Sequence, residues 1–328
     1  MTTSYCMVRL KFSAIALLCT STVVFTSMAV AADWADPARF ESKDGGFVFQ
    51  TGIGYTFLKG NEFVYDAAGN RISHLIWESD APIFTAKAKA ALPGQWTIGG
   101  SLTIGGWGTS HMEDYDWELD DYTFENWSHQ SIHPDTDLDR YITTDIAVGR
   151  IFHIDANATL NLHGGFKYTN VKWNAYGGSF IYSSDGGFRN EVGNIPDGTP
   201  VISWEQHYPG FFLGAEATAT SGAWTFSGLA RGGLTAQSKA IDHHWRRKLR
   251  FKDEYNTIPF LSLEAQLDYA FNSSARIFLA GSFDQYFHKK GDTTIYDIPS
   301  GGDSGPLVDG AGMKFRAATI TGGLKIAF

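Results

Sequence analysis

Asp114 and Asp116 stand two residues apart in the stretch His111, Met112, Glu113, Asp114, Tyr115, Asp116, Trp117. In an extended chain that spacing turns both carboxylates to the same side. Two such groups repel unless they share a proton, hold a cation or hold a water. Glu118, Asp120 and Asp121 continue the acidic run, and a run of acids alone is most often just solvated. Asp242 and His244 repeat the spacing within 239–245. There the aspartate can accept an imidazole N–H, set the tautomer and raise the basicity of the other ring nitrogen. As an isolated spacing D-x-H is weak, since surface loops produce it by chance. Zinc held by His243 and His244 is the competing chemistry. Adjacent side chains diverge in a strand, however, and no H-E-x-x-H or thiolate accompanies them, so no metal site is assigned.

The elements that must position these groups read as strands. Residues 96–107 alternate cleanly, and 259–271 put Leu261, Leu263, Ala265, Leu267, Tyr269 and Phe271 on one face. Ser262, Glu264, Gln266 and Asp268 take the other. Segments 276–287 and 159–168 behave similarly. A soluble sandwich has the same period, but its strands are shorter and turn every 8–12 residues or so. Long alternating strands with aromatic ends suit a barrel with lipid outside and polar groups inside. Short connections at 92–95, 154–157, 220–223 and 272–275 are interleaved with long polar stretches near 59–71, 110–137, 177–200, 240–251 and 294–311. Four short turns and five long loops join ten strands. The expected fold is all-β, a ten-stranded antiparallel transmembrane β-barrel with long extracellular loops in the bacterial outer membrane. The terminal alternation ending on Phe328 agrees.

Residues 1–31 read as a secretory signal: Arg9 and Lys11, an apolar run, then Ala29, Val30 and Ala31 as an A-x-A cleavage site. Both cysteines, Cys6 and Cys19, fall in it. The mature chain, 32–328, is then one cysteine-free domain, which excludes disulfides, thiolate zinc sites and cysteine catalysis. Losing the two cations of the signal takes the formal charge from −9 to about −11, which argues against nucleic acid as a partner.

In such a barrel the second and fourth long loops share the outward rim, reached from opposed parts of the wall. A water held between the two pairs could be deprotonated by His244 while Asp114 and Asp116 position it. That is hydrolysis without a covalent nucleophile.

With these residues in view the chain resembles the omptin family of outer-membrane proteases over essentially all of 32–328. The likeness is carried by Asp114, Tyr115, Asp116 and Trp117, by Ser131, Ile132, His133, Pro134, Asp135 and Thr136, by residues 177–184, by Gly187, Phe188 and Arg189, and by Asp242, His243 and His244. The resemblance implies an aspartic-type endopeptidase at the barrel mouth, with Asp114 and Asp116 as one catalytic pair and Asp242 with His244 as the other. It implies Ser131 and His133 as supporting structure rather than a nucleophile and its base. It implies polypeptide substrates cut beside basic residues, with Glu62 as a substrate-binding acid. The second acid of the family pattern falls at Ala240, a departure that leaves the pocket one charge short. No cofactor is expected beyond a lipopolysaccharide requirement, and two lipid-binding positions are altered, to Asn170 and His207, with Lys167 and Lys172 as substitutes. The rival readings are a non-catalytic surface adhesin and a small porin on the same barrel.

Overall fold

The computed structural model describes residues 45–119, 121 and 123–328. The expected signal segment, 1–31, and Asp120 lie outside the described residues. Alternating side chains form strands here because the two faces of each meet different surroundings. Thirteen segments result: β1 (Phe47–Tyr65), β2 (Arg71–Leu92), β3 (Trp96–Gly105), β4 (Thr109–Asp116), β5 (His129–His153), β6 (Ala158–Tyr182), β7 (Glu191–Ser221), β8 (Trp224–Thr235), β9 (Ser238–His244), β10 (Leu249–Tyr255), β11 (Pro259–Ala270), β12 (Ala275–Asp297) and β13 (Asp303–Ala327). β3 and β4 both lie between β2 and β5, so they are one stave of the wall with a break in it. β8 with β9, and β10 with β11, are broken staves of the same kind. Ten staves remain, all antiparallel, and β1 pairs with β13 to close the ring. The expected barrel is the observed one.

Its surface is inverted relative to a water-soluble protein. Ile53, Phe57, Phe211, Leu213 and Ile320 point outward, with Ile53 74% and Leu213 77% exposed, a band that only lipid can cover. The lumen holds charges in pairs. Lys87 meets Glu264 at 2.5 Å, Lys89 meets Glu216 at 2.6 Å, Arg231 meets Asp145 at 3.2 Å, and Lys167 bridges Asp284. Above these pairs the interior changes to aromatic. Trp77, Trp173 and Trp204 stack in a triangle with centroids 5.9–6.0 Å apart. Tyr208 stacks on Tyr286 at 4.2 Å, and Phe315 packs against both. All six are buried, so they form a dry floor between the lumen and the outer mouth.

The long outer connections are mostly strand. β1 and β2 stay paired to Tyr65 and Arg71, β9 and β10 to His244 and Leu249, and β6 and β7 to Tyr182 and Glu191. Only 66–70, 245–248 and 183–190 remain as turns there. Backbone donors above the membrane still need partners, and extending the ladder supplies them. Polar residues on both faces of these extensions make them look like loops in sequence. The consequence is that the candidate site stands on strands.

Candidate active site

Asp114 and Asp116 end β4, held between β2 and β5 by the pairs Leu75↔Asp114, Ser73↔Asp116, Asp114↔Ser131 and Asp116↔His129. Strand geometry turns both inward, as their spacing predicted. Ser73, not noticed in the sequence, donates its hydroxyl to Asp114 Oδ1 at 3.3 Å. Burial pushes the Asp114 carboxyl well above the usual carboxylate range, and the Asp116 charge raises it further. Arg247 and Ser73 pull the other way, and Asp242 adds to the rise. Asp116 is raised too, again by burial first, against the Ser73 hydroxyl. Two raised, adjacent carboxyls titrate as a unit and retain a proton that isolated aspartates would lose.

Asp242 and His244 lie on β9, in the seventh stave, across the mouth from the third. Asp242 Oδ2 lies 2.6 Å from His244 Nε2, and Asp242 is 2% exposed. With Nε2–H donating to that carboxylate, Nδ1 is the acceptor nitrogen, and Arg247 from the 245–248 turn donates to it. The two pairs lie within electrostatic reach of each other: Asp242 raises the Asp114 carboxyl, and Arg247, from the turn after His244, lowers both Asp114 and Asp116. His243 turns away and stacks on Trp245 at 4.9 Å, so the adjacent histidines do not converge. Among the described residues no group of three or more His, Cys, Asp and Glu side chains is arranged to hold a metal ion.

Ser131 and His133 are buried beside this cleft. His133 Nδ1 lies 2.5 Å from the Gly177 carbonyl and Nε2 lies 2.8 Å from Ser131 Oγ. With Nδ1–H given to the carbonyl, Nε2 accepts the serine O–H. The contact depends on the irregular pairing near Gly178, whose φ of +112° would be strained in any other residue. A Cβ there would also meet Ile132 O at 2.2 Å. Arg189 plays a similar bracing part, lying 3.5 Å over the Trp127 ring and donating to the Trp127 carbonyl at 3.0 Å.

Glu62 points inward from β1 under this cleft, 4% exposed, and its Oε2 has no hydrogen-bond partner. Burial drives its carboxyl well above the usual range, with Asp242, Asp253 and Asp114 raising it further and the nearby Trp77 indole opposing. Ala240 is buried on β9. Asp253 on β10, passed over in the sequence, is 3% exposed and also faces this floor. The polar cavity inside the barrel lies below the aromatic layer and is lined by none of these residues.

A closed outer-membrane barrel with acids and one histidine gathered at its mouth defines a class, and the comparisons narrow it. The model of the omptin family matches residues 44–328. Outer membrane protease OmpP of Escherichia coli (strain K12) is 30% identical, over 96% of this chain and 98% of its own. Protease 7 of the same strain is 27% identical over 82% and 86%, and the plasminogen activator of Yersinia pestis 26% over 86% and 89%. The crystal structure of outer membrane protease OmpT from Escherichia coli superposes with a TM-score of 0.81 at 24% identity, covering 88% of this chain and all of that one. The chain belongs to the omptin family, and it is an outer-membrane protease.

Proposed function

We propose that this protease is an endopeptidase that hydrolyses exposed polypeptides with a water activated by Asp242 and His244 opposite Asp114 and Asp116. The observation that carries the reading is the 2.6 Å Asp242–His244 contact across one cleft from a proton-sharing aspartate pair. The water attacks the scissile carbonyl carbon and gives its proton to His244 Nδ1, while Asp242 balances the imidazolium. Asp114 and Asp116 hold the water and their shared proton toward the oxyanion. His244 then returns its proton to the leaving amine, and the C–N bond breaks. Arg247 donates to Nδ1, so substrate must displace it. Cleavage falls beside basic residues because Glu62 keeps Oε2 in the floor with no hydrogen-bond partner. The test is a peptide library digested by refolded protein, with the cut sites read by mass. Cuts scattered without regard to charge would remove the specificity half of this reading.

A lipopolysaccharide requirement belongs to the same proposal. Arg140 donates to Asn170 Oδ1 at 2.5 Å and to Glu205 Oε1 at 2.6 Å, and His207 lies 2.9 Å from that same carboxylate. A cation is therefore present beside the altered positions, delivered from the next strand. Lys167 points into the lumen against Asp284 and cannot serve on the outer wall. Activity assayed with and without added lipopolysaccharide checks it; equal rates would dismiss the requirement.

A further inference from the structure

Counted along β9, the pocket beneath the cleft is one acid short, because Ala240 stands where a carboxylate would complete it. Counted across the ladder it is not. β9 and β10 pair with Ala240 directly opposite Asp253. Residues directly opposite in an antiparallel pair project to the same face, with Cβ atoms about 4.5–5.5 Å apart. The burial pattern agrees: Ser238, Ala240 and Asp242 face inward from β9, and Asp253 and Tyr255 from β10. The aspartate thus enters the same corner from the neighbouring strand, opposite the small Ala240 side chain.

We propose that Asp253 is the second specificity-determining acid of this protease, acting with Glu62 to bind the basic side chain of the substrate beside the cut. The inference rests on the endopeptidase reading above and adds a residue to it. Glu62 on the first stave and Asp253 on the eighth converge closely enough for the Asp253 charge to act on Glu62. Among the described residues no cation forms an ion pair with Glu62 or Asp253, and the charges that act on Glu62 are all acidic. Lys252 and Glu254 are exposed, on the outer face of β10. The lumen's paired lysines lie below the aromatic floor. Glu62 Oε2 and Asp242 Oδ1, both more than nine-tenths buried, have no hydrogen-bond partner. Buried carboxylate oxygens are normally satisfied, so these point to a donor that arrives with the substrate. An arginine side chain suits the site best: its planar fork can donate to two carboxylates at once, where a lysine ammonium offers a compact point charge. Its aliphatic stem can rest on Trp77 and Trp204.

Matched peptides with Arg, Lys or Ala beside the cut would be assayed on the refolded full chain and its variants. Wild type should prefer Arg strongly. Asp253→Asn should lose about tenfold or more of kcat/KM on the Arg peptide, the weight of one hydrogen bond to a charged group, and little on the Ala peptide. Asp253→Ala should do the same, and adding Ala240→Asp to it should restore the Arg preference by returning the acid to the opposite strand. A merely structural loss would not be rescued by that relocation. Direct binding of acetyl-arginine amide, read by tryptophan fluorescence, gives the same comparison without turnover and so separates this inference from the proteolytic reading. Weaker binding in Asp253→Asn supports the pocket whether or not peptides are cut. An unchanged Arg-to-Ala ratio with unchanged binding, while Glu62→Gln lowers both, would overturn it.

Discussion

The lumen and the mouth of this barrel are built from the same residue types and treat their charges in opposite ways. In the lumen each of Glu264, Glu216, Asp145 and Asp284 has a cation at hydrogen-bonding or ion-pair distance. At the mouth Glu62, Asp114, Asp116 and Asp253 are crowded together, all pushed above the ordinary carboxylate range by burial. Paired charges hold a structure and leave nothing for a ligand to do. Unpaired ones cost the fold stability and keep their binding capacity for substrate. The difference separates scaffold from site more clearly than residue identity does.

The largest effect should come from breaking the site. Asp242→Asn, Asp114→Asn and Asp116→Asn should each reduce kcat by about 10²–10⁴-fold, the usual weight of general acid–base catalysis, with the barrel still folded in detergent. Breaking the scaffold should do the reverse. Lys167→Met strands the Asp284 carboxylate, and losing one partner of a buried pair costs about 3–5 kcal/mol. Thermal unfolding in micelles should show that loss while the Arg-to-Ala ratio of kcat/KM stays at the wild-type value. A selectivity change in Lys167→Met would mean that lumen and mouth are not independent.

Making the mouth resemble the lumen sharpens the contrast. Ala240→Lys puts a cation against Asp253 and Glu62. It should raise the apparent Tm at pH 8 and abolish the preference for basic peptides; a variant that kept both wild-type values would show that the acids are not ligand-free. The pH dependence is a smaller effect of the same kind. Asp253 is held up at about 7 by burial, with Asp242 adding to the rise and Thr293 and Tyr255 opposing it, while Glu62 faces it from β1. Below that value it is protonated and neutral. Affinity for the Arg peptide should therefore rise as pH increases through about 7, beyond any change seen with the Ala peptide. Stability runs the other way, because the folded state keeps a proton that the unfolded chain, near 3.8, has released. Apparent Tm should fall as pH rises from about 4 to 7, and Asp253→Asn should flatten that fall.

The alternation of apolar and polar residues was enough to read the wall, because lipid outside and paired charges inside enforce a strict period. The two spacings proposed as catalytic were legible for the same reason: Asp114 with Asp116, and Asp242 with His244, each sit on one strand. Asp253 was not. Finding it needs the register of β9 with β10, and that depends on knowing that residues 245–248 form the turn between them. Within the sequence that stretch, with Arg246, Arg247 and Lys248, reads as part of a long polar loop. Ser73 and the Trp77, Trp173 and Trp204 triangle were hidden likewise, since each acts between strands and not along one.

The central claim is that water, not a serine, attacks the peptide bond. It is tested most directly by comparing His244→Ala with Ser131→Ala on one Arg peptide, with single-turnover samples examined by intact mass for an acyl adduct. The account predicts a loss of about 10²–10⁴-fold for His244→Ala, a far smaller loss for Ser131→Ala, and no adduct at any time point. A dead Ser131→Ala enzyme, or an adduct on Ser131 in the wild type, would contradict it.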